Sequence, residues 1–220
     1  MAHSARELLD RIRAAVADDH GVNRFVPLIA EGAVPVPVIG ALAAEESRIV
    51  PADWRSFLTL ASRADEPAVR GFFTSLSQGE GLALPLLAPL AAAAGFDEAA
   101  VRAYRPLPGC QAYAAYVAWL ALNADPAVAA VAMLTNFAAF GEYCATIATA
   151  LRDHYGFDDD ARAFFAFFGT PAPELEQQGL AAVQAGIDAG VSFGGAVELV
   201  RLLQGYELMF WNTLADLGEG

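Results

Sequence analysis

Apolar residues return every three or four positions along almost the whole of this sequence, and no run shows the strict alternation of β-branched residues that marks a strand. A helix satisfies that period and a sheet does not, so the chain is predicted to be all-α. Abundant alanine adds helix propensity of its own. Start signals are legible as well. Ser4 with Glu7 three residues on reads as a capping box, Pro51, Pro126 and Pro171 suit first-turn positions, and Asp97 and Asp158 can cap the helices that follow them. Helices are therefore predicted at 4–18, 23–31, 36–49, 51–63, 65–93, 97–103, 109–123, 126–153, 158–168, 171–189 and 193–217. Pro85 and Pro89 are expected to kink or split the fifth. Connections are short and no repeat of 20 to 50 residues is found, so residues 1–220 are expected to form one helical bundle.

Charge removes whole reaction classes. The 220 residues hold 13 basic and 26 acidic groups, a net charge of −13 with a pI near 4.5. An acidic surface repels phosphate, so no nucleic-acid partner is expected. All 13 basic residues are arginine. Without lysine there is no Schiff-base chemistry, no pyridoxal-phosphate anchor and no Walker lysine. The stretch Leu82 to Phe96 is apolar but carries two prolines and falls short of the roughly 20 residues a spanning helix needs, so no membrane partner is expected. The N-terminus alternates Arg6, Glu7, Asp10, Arg11 and Arg13 with Leu8, Leu9 and Ile12, which is an amphipathic helix and not a secretion signal. Cys110 and Cys144 lack CxxC spacing and neighbouring histidines. A cytoplasmic protein is the expectation.

The last helix carries the most informative pattern. Leu203, Glu207, Phe210, Trp211 and Leu214 are spaced i, i+4, i+7, i+8 and i+11 and share one face, so a carboxylate sits inside an apolar stripe. Burial there raises its pKa and suits it to move a proton near neutral pH. Partners are offered by Glu45 and Glu46 after an apolar run, by Asn136 and Phe140 one turn apart, and by Tyr113 and Tyr116. Tyr113, Phe140, Phe168 and Trp211 would stack on a flat heteroaromatic molecule, with Glu46, Asn136 and Glu207 supplying directional polar contacts.

Five segments taken in order resemble a known family: Asn23-Arg24-Phe25-Val26, Glu31-Gly32-Ala33-Val34-Pro35, Glu45-Glu46, Ala112-Tyr113-Ala114-Ala115-Tyr116 and Tyr206-Glu207-Leu208-Met209-Phe210-Trp211. They look like the TenA/THI-4 (thiaminase II) family of the haem-oxygenase-like fold, which includes the quinone-cofactor synthase PqqC. The resemblance implies a multi-helix bundle with a central pocket. In TenA proper it implies an aminopyrimidine aminohydrolase that uses an aspartate, a cysteine nucleophile, several tyrosines and a glutamate. The glutamate falls on Glu207 and one tyrosine on Tyr113. The aspartate position holds Glu46, the cysteine position holds Asn136, and two further tyrosine positions hold Phe140 and Phe168. Asparagine does not act as a thiolate. Cys144 lies about 12 Å further along the same helix, too far to replace it.

Di-iron oxidases of the same fold would need histidines here. Glu80 and Glu142 are placed like two of their carboxylates, but Ala83 stands where the first histidine would be and Thr170 to Gln177 carry none. His3, His20 and His154 are isolated, so neither a metal nor another cofactor is expected. Glu142 is expected to be a buried hydrogen-bonding carboxylate at the pocket. The resulting expectation is a cofactor-independent hydrolase or lyase acting on an aminopyrimidine or thiamin-type compound, with Glu207 and Glu46 catalytic. Tyr113, Asn136, Phe140, Phe168, Trp211 and Glu142 would bind the substrate. The alternatives are a non-catalytic metabolite-binding protein and, third, a metal-dependent oxidase. Direct transcriptional regulation conflicts with the charge. The resemblance also implies a homo-oligomer, dimer or tetramer.

Overall fold

Side-chain caps and first-turn prolines together set most of the helix starts. The computed structural model describes residues 4–17 and 21–219, and among these it contains no strand. The α-helices in chain order are α1 (Ala5–Val16), α2 (Phe25–Ala30), α3 (Val36–Arg63), α4 (Pro67–Ala83), α5 (Leu87–Ala93), α6 (Glu98–Ala103), α7 (Pro108–Asn123), α8 (Pro126–Asp153), α9 (Asp159–Gly169), α10 (Pro173–Asp188) and α11 (Ala196–Glu219). Ser4 accepts the Glu7 N–H at 3.2 Å, Asp97 that of Ala100 at 2.7 Å and Asp158 that of Ala161 at 2.9 Å, as the sequence indicates. Asp125 does the same for Ala127 ahead of Pro126. Residue 18, the predicted end of the first helix, and His3 and His20 lie outside the described residues.

Prolines decide where the expected boundaries hold. Pro85 sits in a single 3₁₀ turn, Leu84–Leu86, that separates α4 from α5, which is the split expected there. Pro51 does not end a helix: α3 runs through it, correcting the reading of two helices at 36–49 and 51–63. An internal proline costs about 3 kcal/mol. Ile49, Val50, Phe57 and Leu60 on its two sides are buried, at about 1.5–3 kcal/mol each, and that sum outweighs the lost bond. Pro171, expected in a first turn, lies in the connection instead. Ala172 precedes Pro173 and is held out of the helical region at φ −119°, ψ 70°, so α10 starts only at Pro173.

Two apolar clusters fill the bundle. The first joins α1, the end of α3, α4, α7, the first half of α8, α10 and the start of α11. The second joins α2, the first half of α3, α5, the last half of α8, α9 and the end of α11. Tyr113 packs against both. At Gly169 the α8 and α9 backbones approach so closely that a Cβ would lie 2.7 Å from the Ala145 nitrogen, and this contact fixes the height of Phe168 beside it.

Leu82 to Phe96 is too short to cross a membrane, whereas among the described residues α8 is long and apolar enough by length and composition, with a mean hydropathy of 1.3 over its best window. Of that window 61 % is buried inside the bundle. The apolar surface of α8 is thus largely used by the fold, consistent with a soluble protein.

Candidate active site

A cavity of about 1000 Å³ opens between the two clusters. Helix α3 lays Glu46, Ile49, Val50, Asp53 and Phe57 along its wall, a spacing of i, i+3, i+4, i+7 and i+11. Glu80 enters from α4, Tyr113 from α7, Asn136 and Phe140 from α8, Phe164 and Phe168 from α9, and Glu207, Phe210 and Trp211 from α11. The aromatic wall is continuous. Trp211 lies 6.4 Å from Phe140 and Phe140 meets the edge of Phe168 at 5.5 Å, while Phe25 and Tyr143, outside the lining, pack on Trp211 at 5.8 and 6.0 Å.

Glu207 is 7 % exposed, and the Trp211 indole N–H donates to its Oε1 at 3.2 Å. Burial pushes this carboxyl up to about 7, with hydrogen bonds from Trp211 and Asn136 pulling the other way. Glu46 is pushed up to about 8 by burial and then by the negative fields of Asp53, Glu45 and Glu207. Asp53 and Glu80 are both held above the usual carboxylate range, chiefly by desolvation, and Glu80 also by the negative fields of Asp53 and Glu46. The Tyr113 phenol is raised by burial and by these carboxyls, so it stays a neutral hydroxyl that can donate. The cavity therefore combines stacking surface with several proton-carrying groups poised near neutral pH.

All eight residues expected at the site, Glu46, Tyr113, Asn136, Phe140, Glu142, Phe168, Glu207 and Trp211, line this one cavity. Glu142 departs from its expected environment, because it is exposed at the rim and not buried. It lies six residues from Asn136, about 240° around the helix, whereas Phe140 at i+4 stays on the inward face. Glu45 turns away from the cavity. It accepts from Tyr104 Oη at 2.9 Å, from the Leu107 backbone N–H at 2.7 Å and from Gln111 Nε2, and so ties α3 to the start of α7. Tyr116 leaves the cavity too, stacking on Trp119 at 5.6 Å.

Cys144 is fully buried outside the cavity lining, and burial together with Glu46 and Glu207 raises its thiol pKa further. Cys110 is likewise buried and raised. Neither thiol is activated as a nucleophile. Among the described residues no three His, Cys, Asp or Glu side chains stand close enough to share a metal ion, and His154 caps the end of α8. Asp53 is the residue that sequence reasoning missed. Its i+7 relation to Glu46 is plain once α3 is continuous, and the break placed at Pro51 concealed it.

The all-α bundle has the haem-oxygenase-like fold. The chain belongs to the TENA/THI-4/PQQC family, whose model matches residues 24–216. It is similar in structure to a TenA homologue from Pseudomonas syringae, with a TM-score of 0.74 at 12 % identity over 96 % of this chain and 91 % of that one. A domain with a heme oxygenase-like fold from Shewanella denitrificans gives 0.71 at 14 % identity, over 98 % and 89 %. A putative TenA-like thiaminase from Sulfolobus solfataricus gives 0.67 at 12 % identity, over 99 % and 98 %. These identities carry the shared fold alone. No curated protein matches the chain in sequence.

Proposed function

We propose that this family member is a cofactor-independent hydrolase or lyase acting on a small heteroaromatic compound of the aminopyrimidine or thiamin type. The observation that carries the reading is Glu207, a buried carboxyl on an aromatic cavity wall, poised near neutrality and facing a second carboxyl, Glu46. In this scheme the ring stacks on Trp211, Phe140 and Phe168, and Asn136 holds a polar ring atom. Ionised Glu207 takes a proton from water as the water oxygen bonds to a ring carbon, then returns it to the departing nitrogen, which leaves as an amine. Glu46 keeps its proton and orients the water through its carbonyl oxygen. A cytoplasmic protein that assembles as a dimer or tetramer belongs to the same proposal. The exposed Leu58, Leu82, Trp119 and Leu122 supply apolar surface that a second copy would cover.

The scheme needs Glu207 ionised and Glu46 protonated, which fixes the pH dependence. Activity should rise as Glu207 loses its proton near 7 and fall as Glu46 loses its own near 8. A narrow bell centred at about pH 7.5 is expected in kcat, its two limbs reporting the coupled carboxyls together. A flat profile from about pH 6 to 9 would contradict the assignment.

A second reading, a pocket that binds a metabolite without converting it, is favoured by Asn136, Phe140 and Phe168. By resemblance to TenA these positions would carry a thiol and two phenols, and here they offer an amide and two hydrocarbon rings. A thermal-shift screen with pyrimidines, thiamin fragments and quinones, followed by product analysis, separates the two. The catalytic reading expects stabilisation by an aminopyrimidine together with release of an amine. Stabilisation with the compound recovered intact selects the binding protein.

A further inference from the structure

Asp53 is 5 % exposed, lines the cavity, and its Oδ1 has no hydrogen-bond partner. Glu80 lines the same cavity from α4 and lies within the negative field of Asp53. Among the described residues no salt bridge to either is recorded. Arg13, the one basic residue among the described cavity-lining residues, instead donates to the Leu134 carbonyl at 3.1 Å. Two carboxyls on one cavity wall without a cation are driven toward the protonated form, and among the described residues no positive side chain stabilises the ionised one. Resting on the reading of this cavity as the ligand site, we propose that its ligand bears an alkylammonium group that seats between Asp53 and Glu80, apart from the ring held at Glu207.

The chemistry of the wall selects an ammonium over other cations. A metal ion caged by the protein itself takes three or more side-chain ligands, and among the described residues no such group of three converges. An ammonium group has three donors, which match the free Asp53 Oδ1 and the Glu80 carboxylate, and its charge would restore the ionised form that burial disfavours. Dimensions agree. Asp53 follows Glu46 by seven residues, about 10 Å along α3, a span that a ring bearing an arm of about three to five carbons covers. At about 1000 Å³ the cavity stands at the top of the range for pockets that enclose whole ligands, so there is room for such an arm.

Two probes test the subsite: 4-aminopyrimidine carrying a 3-aminopropyl arm at the ring carbon next to the amino group, and the same compound with a terminal hydroxyl. Calorimetric titration of the wild-type chain is expected to show the amine binding at least about tenfold more tightly than the alcohol. In Asp53→Asn and in Glu80→Gln that advantage should fall below about threefold, whereas Glu207→Gln should keep it. Both substitutions preserve shape, and melting temperatures of the unliganded variants confirm the fold. Equal binding of the two probes to the wild type overturns the ammonium subsite and leaves the aromatic ligand site standing. An amine advantage that survives in both variants overturns it also. Binding of neither probe overturns the subsite and the ligand-site reading together.

Discussion

Glu207→Gln is expected to lower kcat by about 10²- to 10⁴-fold at pH 7.5 while the melting temperature stays within about 3 °C of the wild type. Glutamine has the shape of the carboxyl and still accepts the Trp211 indole N–H, so the bond recorded at 3.2 Å survives. What it lacks is a proton to release and recapture near neutrality. Removing a carboxyl that burial disfavours even relieves some desolvation strain, so any loss of activity does not come from unfolding. The measurement is turnover of whichever aminopyrimidine stabilises the protein, read beside a thermal melt. Undiminished turnover would remove Glu207 from the chemistry and, with it, the proposed scheme.

Glu45→Ala should act in the opposite way, on the fold before the site. The side chain is fully buried and accepts from Tyr104, the Leu107 backbone N–H and Gln111. Truncation orphans three donors and leaves a void, a combination expected to cost about 3–5 kcal/mol. For a chain of this size that lowers the melting temperature by roughly 10 °C or more. Glu45→Gln keeps the volume and part of the bonding and should lose less than half as much. A urea melt of both variants provides the check, and an alanine variant as stable as the wild type would show that the node contributes nothing. The node also sets the start of α7, five residues before Tyr113, so damage there reaches the cavity through the backbone and not through chemistry.

The residues at issue show how far one-dimensional reasoning reaches. Glu207 and Trp211 were legible because a helix turns 100° per residue, and four residues along a single helix are neighbours whatever surrounds them. Asn136 and Phe140 were legible for the same reason. The caps at Ser4, Asp97 and Asp158 depend only on the residues within one turn, and they stand where the sequence places them. Pro51 misled because its local penalty is visible in sequence, while the burial that outweighs it comes from the partners of α3, α4 and α7 above all. That single error hid Asp53.

The sequence alone thus determined the helical class, most helix ends and the inward stripe of α11, since each follows from contacts between residues a few positions apart. Which of Glu45 and Glu46 faces the cavity was decided only by tertiary structure, as were the exposure of Glu142 and the placing of Asp53 and Glu80 on one cavity. Those outcomes depend on which distant helix covers which face, and a carboxyl's charge and partners follow from the low-dielectric surroundings that packing creates.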